Sequence, residues 1–340
     1  MLNIEPKNLL EELQAAERLR DAHLEMMGEQ VERYHGPFYK KGHSQQYSGE
    51  NHYYEYISLM IPRLIYDNPR VRVSSRRAGT QEMVADAMRY AINNWVKETR
   101  LRKVLEGVAT DTLFNYGVIL VSETENRTLS SSKMSQDSTV PMWPRCSRIP
   151  QHRFIVDPVA MSIEEARFIG HKWIRDKEDL LEMAKKSDDW NAKQIEEIST
   201  TTDGHELGRE DEDLPDRKEI ICYEIWVPEH QLEEELGPDD GFHGTIFTLG
   251  VTQNPDDSSF KTAYIRKPRA YYGPASGPYV MFGIYPVPNS IYPLSPLVAI
   301  EGQVQELNTH VNSASTSAAQ YKKLILVDNT DPKFAQRVKD

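Results

Sequence analysis

The sequence has 340 residues, 39% hydrophobic and 27% charged, with a formal net charge of −12. That balance fits a folded, soluble chain with two or more structural regions, and it argues against a broad DNA-gripping surface, which takes a basic footprint. No apolar run approaches the ~20 residues of a spanning helix. The start, MLNIEPKNLLEELQ, does not show the basic start and apolar core expected of a secretory signal. Cys146 and Cys222 fit neither a zinc spacing nor a disulfide framework, so folding in a reducing cytoplasm is expected.

Residues 1–117 read as a mostly helical region. The first helix is expected from about Pro6 to Tyr34, with Leu9, Leu10, Leu13, Leu24, Met27 and Val31 apolar and Gly36-Pro37 as its stop. After a polar loop, Asn51 is placed to cap a second helix carrying Ile57, Met60, Ile61, Leu64 and Ile65, closed by Asn68-Pro69. A third helix, about Thr80–Thr99, sets Val84, Ala87, Met88, Ala91, Ile92 and Trp95 on one face. A fourth spans about Leu101–Tyr116, with Gly117 as its left-handed cap.

Residues 118–290 read as a β-rich region. Strands are expected at Val118–Val121, His152–Val156, Ala166–Ile174, Glu219–Val227, Thr245–Thr252, Ala263–Arg266 and Tyr279–Tyr285. Asp176 is placed to cap a helix over DKEDLLEMAKK, and 199–217 reads as an acidic exposed loop. TENRTLSSSKMSQDSTVP reads as a polar hairpin or tip.

Residues 291–340 read as a long helix plus a strand, continuing beyond Asp340 because a further helix start at Asp331-Pro332 has little chain after it. The long helix opens at Ser295-Pro296, with Ser295 free to accept a first-turn N–H and Pro296 having none to leave unpaired. Leu297, Ile300, Val304, Leu307, Val311, Ala314, Ala318 and Tyr321 form one apolar stripe. A carboxylate at Val304 or Leu307 is therefore expected to abolish folding or assembly. The overall class is α+β.

Enzyme signatures are missing. There is no GxxxxGK[ST] loop, no strand–GxGxxG–helix unit, no HExxH and no GxSxG. Pro215-Asp216 and Pro238-Asp239-Asp240 lack the following acid-x-Lys of a metal nuclease, and the run Glu210–Asp213 lacks the spaced ligands and turn glycine of a calcium loop. His171, mid-strand, reads as a structural histidine. No catalytic, metal or cofactor residue is assigned. Three basic groups stand out: Arg70, Arg72, Arg76 and Arg77; Arg266, Lys267 and Arg269; and Lys322 and Lys323. Each can be ordinary surface, and Arg266, Lys267, Arg269, Lys322 and Lys323 are the candidates for DNA-backbone contact.

Four blocks in order resemble the portal proteins of tailed phages: TRLRKVLEGVATDTLFNYGVILV, RIPQHRFIVDPVAMSIEEARFIGHKWIRDKEDLLEMA, YEIWVPE and PYVMFGIYPVPNSIYPLSPLVAIEGQVQELN. Their order and spacing carry the resemblance over roughly residues 50–330. It implies a non-enzymatic ring subunit, typically twelve copies, at the capsid vertex of the virion, through which double-stranded DNA is packaged and ejected. The partners it implies are further copies of the chain, the terminase motor, a head–tail adaptor and the major capsid protein, with no membrane. The chain is shorter than usual for that family. Another virion structural protein, such as a head–tail adaptor, and a DNA-processing enzyme are the alternatives.

Overall fold

The computed structural model describes residues 2, 4–35, 51–75, 80–123, 144–198, 219–232, 242–253 and 260–321. The expected polar hairpin, the acidic loop over 199–217, Arg76 and Arg77, the strand after the long helix and the start at Asp331 lie outside those residues.

The architecture is α+β with antiparallel sheets. Helices α1 (Pro6–His35), α2 (His52–Leu64), α3 (Thr80–Glu98) and α4 (Leu101–Phe114) come first. Strands β1 (Gly117–Glu123), β2 (Pro144–Ile149), β3 (Phe154–Val156) and β4 (Ile169–Asp176) follow, then α5 (Lys177–Lys186) and α6 (Ala192–Glu197). The chain continues with β5 (Glu219–Val227), β6 (Thr245–Gln253), β7 (Phe260–Ala270) and β8 (Tyr279–Phe282), and α7 spans Pro296–Tyr321. One sheet has the order β2-β1-β8 and the other β3-β4-β5-β6-β7.

The alternation of apolar side chains along β5 explains how the large sheet is sandwiched. Tyr223, Ile225 and Val227 face α1, where Leu9, Leu13 and Ala16 cover them together with Phe247, Leu249 and Val251. On the opposite face Ile220 and Cys222 meet Leu180 of α5 and Ile195 of α6. Further along that second face Trp226, Ile169 and Phe154 pack with Tyr116, Val118, Leu120 and Tyr279 of the small sheet and its flanks. Both faces of the large sheet are thus covered by elements of the same chain.

Several sequence expectations shift. Gly117 is no left-handed cap: it lies in β1 and is not among the glycines with positive φ. Its need for glycine is steric, since a Cβ there would sit 2.5 Å from Thr112 Oγ1 and collide with the Val108 carbonyl. Asp176 stands at the N-cap of α5 but its side chain makes no cap bond; the residue is still the last of β4, paired with Glu219. Gln151–Arg153 is a 3-10 turn, so β3 starts only at Phe154. β7 runs past Arg266 through Pro268 because it is the edge of its sheet, where a missing N–H leaves no partner unpaired. Asn51 does cap α2, accepting from the Tyr54 amide at 3.0 Å.

The Asp-Pro turn after β3 is held by a charged clamp. Asp157 accepts from the Val159 amide (3.1 Å). It also accepts from the Arg167 amide (3.1 Å) and from the Arg167 guanidinium (2.8 Å on each oxygen). Arg167 also reaches Glu12 of α1 at 3.1 Å, tying the first helix to this turn. Burial pushes the Asp157 carboxyl up, but Arg167 and the two amides outweigh it and hold it below the usual carboxylate range.

This packing sets expectations for two substitutions. Because the folded pKa of Asp157 is depressed, its stabilisation is present above the unfolded carboxylate pKa of about 4 and is lost as pH falls through the folded value. Asp157→Asn should therefore cost about 2–3 kcal/mol at neutral pH, and the gap to the parent should close in acid, as read by denaturant unfolding at a series of pH values. Gly117→Ala should cost toward the upper end of about 1–3 kcal/mol, because backbone rather than a flexible side chain is in the way, as read by thermal unfolding.

Candidate assembly surface

The last turn of α4 gathers four other elements. Asp111 takes the Arg148 guanidinium of β2 in a two-pronged pair, 2.5 and 2.6 Å. Burial raises the Asp111 carboxyl even so, because it outweighs the lowering by Arg148. The Gln151 amide donates to the Asp111 and Tyr116 carbonyls at 2.7 and 2.5 Å, and the Tyr116 hydroxyl donates to the Gln151 carbonyl at 3.1 Å. His23 of α1 meets Asn115 Oδ1 at 2.8 Å. The buried Ser295 hydroxyl donates to the Leu113 carbonyl (2.9 Å) and accepts from the Leu297 amide (3.1 Å), so the cap of α7 is also its anchor to α4.

From that anchor α7 leaves the body of the fold. Leu297 and Val304 are buried with Ile57, Tyr53 and Leu113, and Ile300 packs partly against them. Arg33 pairs with Glu301, and Gln30 donates to it at 3.2 Å, so the end of α1 clasps the same stretch. Those donors hold the Glu301 carboxyl below its ordinary value. One turn later the contacts stop: Leu307 is 46% and Val311 37% exposed. Among the described residues, the stripe read from the sequence as a single buried face is covered only over its first two turns.

Helix α3 behaves likewise. Its last turns are tied down, with Trp95 packed beside Leu101, Val104 and Val121 and its indole N–H donating to the Pro144 carbonyl at 2.6 Å. Asn93 holds the extended stretch before the helix, accepting from the Val71 amide (3.0 Å) and donating to its carbonyl (2.9 Å). The first turns project: Met83 is 78% exposed, and Val84 and Met88 are exposed on the face expected to be buried. Within α3 the buried apolar positions are Ala85 and Val96 instead. A third uncovered zone lies on the edge strand β8 and its loop, where Val280, Phe282, Tyr285, Val287 and Leu294 are exposed. Beside it an open depression of about 300 Å³ is lined by Met161, Ile163, Met281, Pro286, Ile291 and Pro293 among others. So many uncovered apolar side chains on separate elements mark interaction surface rather than solvated exterior.

The basic residues singled out from the sequence are not brought into one cluster. Arg266 sits in a polar row across the large sheet, His171–Glu224–Thr248–Arg266 by strand register. It is 7% exposed, with its guanidinium 5.0 Å from the Trp190 ring and 3.8 Å from Asp189. Burial, with a contribution from Arg269, lowers its pKa to about 10. Lys267 is exposed on the next position, with Arg269 half-buried beyond Pro268. Lys322 and Lys323 lie outside the described residues. In the same row His171 is partly buried with Nδ1 2.8 Å from the Tyr279 hydroxyl, and its removal from water lowers its pKa to about 4. Among the described residues no group of three His, Cys, Asp or Glu side chains could hold a metal ion, and no helix is long and apolar enough to cross a membrane.

Residues 66–228 match the family model described as the phage SU10 portal protein. Over that stretch, a little under half of the chain, the sequence is similar to the tailed-phage portal family. A comparison with curated proteins gave no match. The matched segment runs from the extended lead into α3 through the end of β5, and so includes the α4 junction, the Asp157 turn and α3.

The burial difference along α7 separates two substitutions that the sequence treats alike. Val304→Asp forces a carboxylate into the α1–α2–α7 cluster, at a cost of several kcal/mol, roughly, and should unfold or strongly destabilise the chain. Leu307→Asp should leave the circular dichroism spectrum and melting temperature of the isolated chain close to the parent.

Proposed function

We propose that this chain is a portal subunit: one of a closed ring of copies, typically twelve, at the capsid vertex, through which genomic DNA enters and leaves. The observation that carries the reading is the portal-family match across α3–β5, combined with apolar faces on α3, β8 and α7 that the described residues leave uncovered. A ring built by rotation uses two different faces of each copy, one meeting the other on its neighbour. Projecting helices with exposed apolar stripes on separate elements supply such non-identical faces. The absence of enzyme signatures from the sequence fits a structural part that leaves translocation work to a separate terminase.

In this reading the ring also docks the head–tail adaptor and the major capsid protein, and the net charge of −12 favours passage of DNA without tight holding. Of the basic groups noted in the sequence, the exposed Lys267 is the member of the Arg266–Arg269 group presented for phosphate contact. Lys322 and Lys323 are the further candidates.

Electron microscopy of the purified protein tests the proposal. Rings with a central aperture are expected, and Leu307→Asp should shift the population to unassembled chains that remain folded. Monomers under every condition, including within assembled particles, would refute it.

A further inference from the structure

The corner where α3 turns into α4 runs against the charge of the chain. Lys97 lies in the last turn of α3, Arg100 holds the turn in the left-handed region (φ 50°), and Arg102 and Lys103 lie in the first turn of α4. Arg145 joins them from β2, because the Trp95 indole bond to Pro144 docks the start of that strand on the last turns of α3. Cys146 points inward to the Trp95 cluster, so its neighbour Arg145 points out. All five cations are exposed.

The carboxylates on these turns are already engaged. Glu98 accepts from Asn94 at 2.8 Å and Glu106 takes Arg102 at 2.9 Å. Among the described residues this leaves the side chains of Lys97, Arg100, Lys103 and Arg145 without a hydrogen-bonding or ionic partner. Lys97 and Arg102 have ordinary explanations, since a cation suits a helix C-terminus and Arg102 pairs with Glu106; Lys103 does not, since the first turn of α4 carries the positive end of the helix dipole and no acidic residue. Helix stability alone disfavours that placement, whereas an external anion would relieve it.

We infer that the α3–α4 corner, completed by Arg145, binds the phosphate backbone of duplex DNA. Three of the five cations are arginines, whose forked donors match phosphate oxygens. The exposed side chains between them, Asn94 and Glu98, are polar, so the corner offers charge without the apolar anchors on which protein interfaces depend. The contact is independent of base sequence, and it is local: one basic corner on an acidic chain holds a duplex lying against it without retarding DNA elsewhere. The inference draws on the portal reading only for the presence of duplex DNA.

The test is binding of a short fluorescein-labelled duplex of mixed sequence to the full chain, read by anisotropy over a salt series. The variant Arg100→Gln/Lys103→Gln/Arg145→Gln is compared with Lys185→Gln/Lys186→Gln/Lys193→Gln, which removes the same charge from exposed positions on α5 and α6. The corner variant should lose about tenfold or more in affinity at low salt and flatten the log–log salt slope by roughly 0.9 for each phosphate contact removed. The α5–α6 variant should bind like the parent. Equal losses in both variants, or no binding by the parent, would overturn the inference. So would competition by polyglutamate that matches unlabelled duplex charge for charge, which would make the corner a seat for an acidic protein segment. Ring formation by the corner variant is scored separately by microscopy, so a chain that forms no rings yet binds duplex through this corner counts against the portal reading and not against the corner.

Discussion

The fold turns on the end of one helix. Within six residues, from Asp111 to Tyr116, α4 bonds β2 through Arg148, the turn before β3 through Gln151, α1 through His23 and α7 through Ser295. These partners lie 35 to 182 positions away in sequence. The close approach at Gly117 lets β1 leave directly under the helix rather than after a loop. Each bond is modest on its own, about 1 kcal/mol net for a neutral pair. Together they fix where α4 and α7 leave this junction, with the Trp95 cluster and the Glu301 clasp continuing the hold on α3 and α7.

That arrangement divides the molecule into a sealed body and uncovered arms. The large sheet is covered by α1 on one face, and by α5, α6 and the small sheet on the other. The first part of α3, the latter part of α7 and the β8 edge are left with apolar side chains in water. A monomeric protein gains nothing from this distribution, since the same residues would stabilise it more if folded back. A subunit whose neighbours cover those faces gains both stability and a defined position in an assembly. The charge is divided in a similar way, with a group of cations gathered at the α3–α4 corner of an acidic chain.

Local patterns were sufficient for most elements. The apolar repeat marked α1 close to its observed bounds, Asn51 marked the start of α2, and β-branched and aromatic residues marked β5. These depend on neighbours within a turn or a strand, which a linear reading contains. The 3-10 turn at Gln151–Arg153 and the short α6 carried no repeat long enough to register. The extent of β7 depended on its being an edge, a property of the sheet and not of the segment.

The portal resemblance and the α+β class were thus legible in order and spacing alone, because helix period, strand period and turn residues are written in adjacent positions. What tertiary structure decided was coverage. Val304 and Leu307 occupy one stripe by periodicity, and only the placement of α1, α2 and α4 buries the first while leaving the second exposed. Likewise Gly117 was recognisable as a required glycine, yet the requirement came from the Val108 carbonyl above it and not from a left-handed backbone. Periodicity states which side chains share a face, whereas burial depends on what distant segments are brought against that face.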